Sequence, residues 1–481
     1  MPARPRPVRP PSRCRASGGR FAILVLVALV ARAAALGNPV LHPDEQFYLA
    51  AARRWAAGDL PYVQWWDRKP LGLFALYRLP ASFADPVAAV FAYQLLALFA
   101  AAATALVLAA IADRAGWRRG ALAGAVLYLM WLDLADGQGG QAPVFYDLPM
   151  ALAAWLAIDA GRWRGVTAMA LVGIAAQIKY TVVFEGAWLG LWLVWHDRRL
   201  ARATLLAGAA AAPTLIVAGA YALAGHGGDW LFANLGSVLL RARDPIGEQI
   251  GNLATCAAIL LVPVGLAVVG LRAASPVAPG ADARRFVAGW LAAALVGLAL
   301  FGTWFNHYTL PVLAPASVAA GAVLGWAGRR GRWTAVLLLV AALAGQGAIL
   351  LARRERGTAA EFAALVGAVG RGPGGLYVES GSSALFTYTG RPPVSRFFYP
   401  SHLTRLREAG AIGADPRIEI ARLFARYPAV VVMATRPFRG EVPAQREQVG
   451  ALLVSKSYRL AAVLPLGAQR LGVWRLSAAD R

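Results

Sequence analysis

The sequence predicts a polytopic α-helical membrane protein of about eleven transmembrane helices, followed by a small C-terminal α/β domain. Three observations carry this reading. The 481 residues are 58% hydrophobic and only 15% charged, with a mean hydropathy of +0.53. A soluble globule of this length cannot hide so much apolar surface, whereas a bilayer can. Apolar runs long enough to cross or nearly cross hydrocarbon recur up to residue 351, and beyond residue 352 strand-and-helix patterning replaces them.

Residues 1–20 hold six arginines and five prolines and read as a disordered basic cytosolic tail. The first apolar run, 21–37, ends in Ala33-Ala34-Ala35 and so mimics a cleavable signal peptide, but Arg32 inside it argues for a retained helix. Further runs fall at 86–112, 120–135, 143–160, 165–178, 183–195, 203–224, 252–271, 286–303, 308–327 and 333–351. Their connections alternate in charge. Arg114/Arg118/Arg119, Arg162/Arg164, Arg198/Arg199/Arg202, Arg272/Arg284/Arg285 and Arg329/Arg330/Arg332 mark one side, and neutral or mixed loops mark the other. Orientation by positive charge puts the basic loops and the N-terminus in the cytosol. The loop 38–85 then lies outside, and so, after an odd number of spans, does the domain 352–481. The same rule accounts for much of the net charge of +23, so no nucleic-acid partner is called for.

The first outer loop is too long to be a simple connector. Glu45 to Ala57 has helical spacing, and Leu71 to Phe83 is a second apolar stretch too short to span. Both read as helices at the membrane interface, with Tyr62, Trp65 and Trp66 as anchors. In the C-terminal domain, Gly374 to Glu379 reads as a strand, Arg417 to Arg426 as a helix and Pro428 to Met433 as a buried strand. Arg459 to Leu476 reads as a terminal hairpin. Cys14 and Cys256 fall in different environments and give no disulfide framework or cysteine metal site.

Chemistry concentrates in the first outer loop. His42-Pro43-Asp44-Glu45 follows the first run, and Asp67-Arg68-Lys69-Pro70 comes about two dozen residues later. Acidic residues are scarce, 25 against 48 lysines and arginines, so an acidic pair at a membrane boundary stands out. A carboxylate there can accept the proton of a hydroxyl attacking a sugar carbon. A lysine at headgroup depth can stabilise a departing lipid phosphate. Asp44 or Glu45 fits the first role and Lys69 the second, with the nearby aromatic residues as a platform for a sugar ring. The five histidines (His42, His196, His226, His307, His402) show no paired metal spacing. A divalent metal held by Asp44 or Glu45 with waters would leave no further trace in sequence, so metal dependence stays open.

The chain resembles the GT-C superfamily of polyprenyl-phosphate-sugar-dependent glycosyltransferases, particularly family 39 and the bacterial aminoarabinose transferase and protein mannosyltransferase relatives. Four features in order carry the resemblance: His42-Pro-Asp44-Glu45-Gln-Phe-Tyr48, Trp66-Asp67-Arg68-Lys69-Pro70, Tyr146-Asp147-Leu-Pro149 and Asn306-His307-Tyr308-Thr-Leu-Pro311. It covers roughly residues 21–351, with the extracytoplasmic C-terminal domain as a common accompaniment. It implies Asp44 as the catalytic residue, and Glu45, Lys69, Asp147, His307 and Tyr308 as substrate-binding residues, with Lys69 on the lipid phosphate. The implied donor is a polyprenyl-phosphate sugar. The acceptor (a lipid, a polysaccharide or a protein) is not specified. This chain has Lys69-Pro70-Leu71 where many relatives have Lys-Pro-Pro, and Tyr93-Gln94 where many have an early arginine in the second span. Lys179 and Glu185 read as turn charges, and Asp229, Arg241, Arg243, Asp244 and Glu248 as a solvated loop. A lipid-linked sugar flippase or transporter and a non-enzymatic membrane assembly protein are the rival classes. High Ala, Gly and Arg content with little Lys points to a GC-rich bacterial genome, and with the apolar spans the expected location is a bacterial inner membrane.

Overall fold

Every apolar run coincides with a helix in the computed structural model, which describes residues 13–159, 161–197, 199–273 and 280–477. Helix α1 (Arg13–Arg32) begins inside the stretch expected to be a disordered tail, so that expectation is corrected from Arg13 onward. The first twelve residues of the tail, like Arg198, lie outside the described residues. The first connecting loop holds α2 (Pro43–Ala56) and α3 (Leu71–Ala81), both as expected. The bundle continues through α4 (Pro86–Arg114), α5 (Ala121–Leu132), α6 (Ala142–Ala157), α7 (Arg162–Ala176), α8 (Val183–His196) and α9 (Leu200–Leu223). Short helices α10 (Gly227–Leu231) and α11 (Ser237–Leu239) fill the next long loop. Then come α12 (Ile246–Ala273), α13 (Ala281–Phe301), α14 (Leu310–Ala320) and α15 (Gly328–Arg356).

Helices α4, α9, α12, α13 and the stretch containing α15 are long and apolar enough to cross a membrane on their own. The other runs fall on helices of 11 to 20 residues. An 11-residue helix such as α14 rises only about 17 Å against a hydrocarbon core of about 30 Å, so it crosses only with its non-helical flanks. Small residues let the helices touch. A Cβ on Gly124 in α5 would lie 2.4 Å from the Ser317 carbonyl oxygen of α14, so glycine is required for this backbone-to-backbone contact. Large apolar side chains such as Ile216, Leu223, Leu261 and Leu343 face outward, as they do where the solvent is lipid.

The alternation of loop charge corresponds to two physical ends. At one, Arg20 pairs with Asp113 at 2.6 Å, Arg114 with Asp159 at 3.4 Å, and Arg284 donates to the Ala115 carbonyl at 2.9 Å. At the other, the first connecting loop meets the C-terminal domain: Trp66 N–H donates to the Arg396 carbonyl at 3.0 Å. The loop carrying α10 and α11 joins them, with Ala242 N–H donating to the Arg407 carbonyl at 3.2 Å.

The C-terminal domain opens with α16 (Ala359–Val369), capped by a reciprocal Thr358–Glu361 box. It continues as β1 (Leu376–Val378), α17 (Ala384–Thr389), α18 (Ser401–Thr404), α19 (Pro416–Ala425), β2 (Val430–Ala434), α20 (Pro443–Ser455), β3 (Tyr458–Leu466) and β4 (Gln469–Leu476). The sheet order is β1-β2-β4-β3, with β1 and β2 parallel and the other pairings antiparallel. Strand β2 is buried throughout, which is why it reads as an unbroken Val-Val-Val-Met-Ala run. The β3–β4 turn rests on the end of α15: Ala468 N–H donates to the Glu355 carbonyl at 3.0 Å. Gly467 there has φ +60°, and a Cβ on it would lie 2.4 Å from that oxygen.

One expectation is corrected in kind. Tyr62, Trp65 and Trp66 are fully buried rather than anchored in the interface. Trp65 packs edge-on against Phe74 at 4.7 Å, and Trp66 against His402 at 4.9 Å. They form the seat of the C-terminal domain.

Candidate active site

Helix α2 starts at Pro43, whose fixed φ and missing N–H suit the first turn. That start fixes where the acidic pair sits. Asp44 is half-buried and accepts a hydrogen bond from Tyr399 Oη at 2.7 Å. Burial alone would raise its carboxyl, but Lys69, His307 and the Tyr399 hydrogen bond hold it down at about 2. It is therefore ionised at neutral pH. Glu45, one residue on, is fully buried against Gly139. Burial pushes its carboxyl up to about 8, with the neighbouring Asp44 charge adding to the rise. The adjacent acids thus have opposite characters, one charged at the cluster and one neutral inside.

The second motif supplies a cation and its counter-ion. Asp67 is buried and accepts from the Lys69 backbone N–H at 2.9 Å, while Lys69 Nζ lies 3.3 Å from both its oxygens. His402 Nε2 is 3.5 Å from Asp67 Oδ2. Against the effect of burial, Lys69, His402 and Arg68 hold the Asp67 carboxyl well below the usual range. The Lys69 ammonium is framed by the rings of Tyr48, Tyr399 and Phe47, with centroids at 5.2, 5.8 and 6.0 Å. Arg68 pairs with Glu408 of the C-terminal domain, and Arg241 reaches the same carboxylate at 3.0 Å. Burial would raise Glu408, yet these two guanidiniums hold it at about 2.

The turn between α13 and α14 closes the cluster. His307 stacks on Phe305 at 5.8 Å, and burial together with the nearby Lys179 ammonium pushes its imidazole down to about 3. It is a neutral hydrogen-bonding group at pH 7. Lys179 Nζ lies 4.2 Å from the centre of the Tyr308 ring, and both Lys179 and Tyr308 are close enough to Asp44 to feel its charge.

Of the residues expected from sequence, Asp44, Lys69, His307 and Tyr308 are brought together. Glu45 and Asp147 are not among them. Asp147 sits inside the bundle on α6, accepting from Tyr128 Oη at 2.8 Å. Sequence reasoning missed Lys179 and Arg241, read as turn and solvated-loop charges, and it missed Tyr399, His402 and Glu408 entirely. For Tyr399 and His402 the signal was compositional, since the run Arg396-Phe-Phe-Tyr-Pro-Ser-His402 is dense in aromatic and ionisable groups; Glu408 lies outside it. Among the described residues no group of three His, Cys, Asp or Glu side chains is placed to hold a metal ion.

No protein-family model matches the sequence, and neither does any curated protein. Among solved structures, that of ArnT from Cupriavidus metallidurans bound to undecaprenyl phosphate is similar, with a TM-score of 0.62 at 15% identity. The likeness covers 96% of this chain and 99% of that one, so it takes in the bundle and the C-terminal domain together. At this identity the fold is what the two share. The chain thus has the fold expected from its GT-C resemblance, a polytopic helical membrane body with a C-terminal domain seated on one end.

Proposed function

We propose that the chain is a membrane glycosyltransferase that moves a sugar from a polyprenyl-phosphate carrier to an acceptor at the extracytoplasmic face of a bacterial inner membrane. The observation that carries this reading is an ionised Asp44 held in that state chiefly by the Lys69 ammonium, at the end of the bundle where Lys179, its pKa lowered by burial, stands over the Tyr308 ring. The ArnT likeness, to a protein solved with undecaprenyl phosphate, supports the choice of carrier. The acceptor's hydroxyl or amine attacks the sugar's anomeric carbon while Asp44 takes its proton. The bond from that carbon to the phosphate oxygen breaks, and the phosphate leaves with the electron pair, stabilised by Lys69 and Lys179. A single base and one displacement imply inversion at the anomeric carbon. His307 and Tyr308 bind the headgroup as neutral hydrogen-bonding groups. Glu45 and Asp147, being buried elsewhere, hold the scaffold.

Membranes given a labelled polyprenyl-phosphate sugar test the reading. Wild type transfers label to endogenous acceptor, and Asp44→Asn loses at least about a thousandfold. Equal transfer by both removes Asp44 from the mechanism. Lipid-linked sugar crossing the bilayer in a variant lacking both Asp44 and Lys69 would favour the flippase class instead.

A further inference from the structure

We infer that Tyr399, carried by the C-terminal domain, is a positioning residue for Asp44, so that this domain completes the transfer site. Given the transferase reading above, on which this depends, the base needs one fixed orientation and one free oxygen. Among the described residues, the hydrogen bond that the Asp44 carboxylate accepts comes from Tyr399 Oη to Oδ1, at 2.7 Å. Oδ2 accepts no hydrogen bond from the described residues and is available to take a proton. A donor on one carboxylate oxygen fixes the side-chain torsion, and geometry held in this way is worth a large part of a displacement barrier.

Tyr399 is itself held. Its ring lies 5.0 Å from Phe47 and 5.3 Å from His402, with the Lys69 ammonium 5.8 Å away. The stretch that carries it is pinned at both ends. The Arg396 carbonyl accepts from Trp66 N–H at 3.0 Å, and the Arg396 guanidinium donates to the Tyr62 carbonyl at 2.8 Å. Downstream, Glu408 holds Arg68. Residues 396–408 therefore reach charged groups of both first-loop motifs, Asp44 through Tyr399 and Asp67 through His402.

The full-length protein in nanodiscs tests this. The donor is the lipid-linked sugar purified from cells lacking the chain, with membranes of those cells supplying acceptor. Tyr399→Phe keeps the ring and removes the hydroxyl. The expected result is a kcat lowered about tenfold, with the donor KM within about twofold of wild type and the unfolding midpoint within about 2 °C. Ser395→Ala removes two other hydrogen bonds of the same stretch, one to Glu419 at 2.7 Å and one from Phe397 N–H at 3.1 Å, and leaves kcat and KM unchanged. A Tyr399→Phe kcat within about twofold of wild type overturns the proposal. Equal loss in both variants also overturns it, because that is the mark of a merely structural seat. A wild-type protein that leaves the donor untouched overturns the transferase reading itself.

Discussion

The two ends of the helical bundle use the same residue types to different purposes. At the end bearing the basic loops, carboxylates and guanidiniums meet in partly exposed pairs: Arg285 and Asp282 are each about two-thirds exposed, and Arg20–Asp113 about one-third. At the opposite end Asp67 and Glu408 are almost fully buried, each facing at least one cation. Exposed pairs are screened and contribute little, whereas a buried charge stripped of its partner is expensive. Charge at the first end stays largely in solvent. Charge at the second end is buried and held by its partners.

Removing a partner at the buried end breaks the contrast most sharply. Glu408→Ala leaves Arg68 and Arg241 facing each other without their shared carboxylate, and stability falls by about 3 kcal/mol in a thermal or denaturant melt. A loss under about 0.5 kcal/mol would mean that this end behaves like the exposed one.

Glu45 sharpens the comparison through pH. Its folded value of about 8 is raised above the ordinary 4.5, so its contribution to stability is present below pH 4.5 and is lost as pH rises towards 8. Glu45→Gln removes that loss. The variant is expected to exceed wild type by about 2 kcal/mol at pH 8, with the advantage vanishing below pH 4.5. Parallel stability curves across that window would show that Glu45 is charged in the folded protein.

A smaller effect is expected in binding. Lys179→Gln weakens the affinity of the purified protein for undecaprenyl phosphate about tenfold, the worth of one charge-assisted contact, with the fold unchanged by circular dichroism. Unaltered affinity would leave Lys69 to carry the phosphate alone. Smallest of all, Arg285→Gln shifts stability by less than about 0.5 kcal/mol, and less again in high salt.

What was legible in the sequence follows from the range of the physics. Hydrophobic runs and loop charges are local, so the eleven apolar runs that fall on helices and the two-sided arrangement of loop charge could be read in advance, as could β2 from its unbroken valines. Asp44 and Lys69 stood out as charged groups in the first outer loop at a membrane boundary, whereas His307 and Tyr308 were singled out by the family resemblance. Glu45 could not be separated from Asp44, since adjacent helical positions face different ways and only packing against Gly139 decides which is buried. Tyr62, Trp65 and Trp66 were read as interfacial anchors because amphipathic rings favour that depth, but a domain seated over them supplies the burial instead. The aromatic run around Tyr399 and His402 marked a spot but not a role, because the Tyr399 partner lies 355 positions away; Glu408 had no local signature, its partners Arg68 and Arg241 lying 340 and 167 positions away.

That separation bears on how the protein is made. Asp44 leaves the ribosome early, whereas its hydrogen-bond donor follows 355 residues later. The hairpin that rests on the end of α15 comes later still, from Tyr458 to Leu476. A chain not yet extended to Tyr399 leaves Asp44 without that donor, and the cluster is assembled only after residues 396–408 have been made and docked on the first loop.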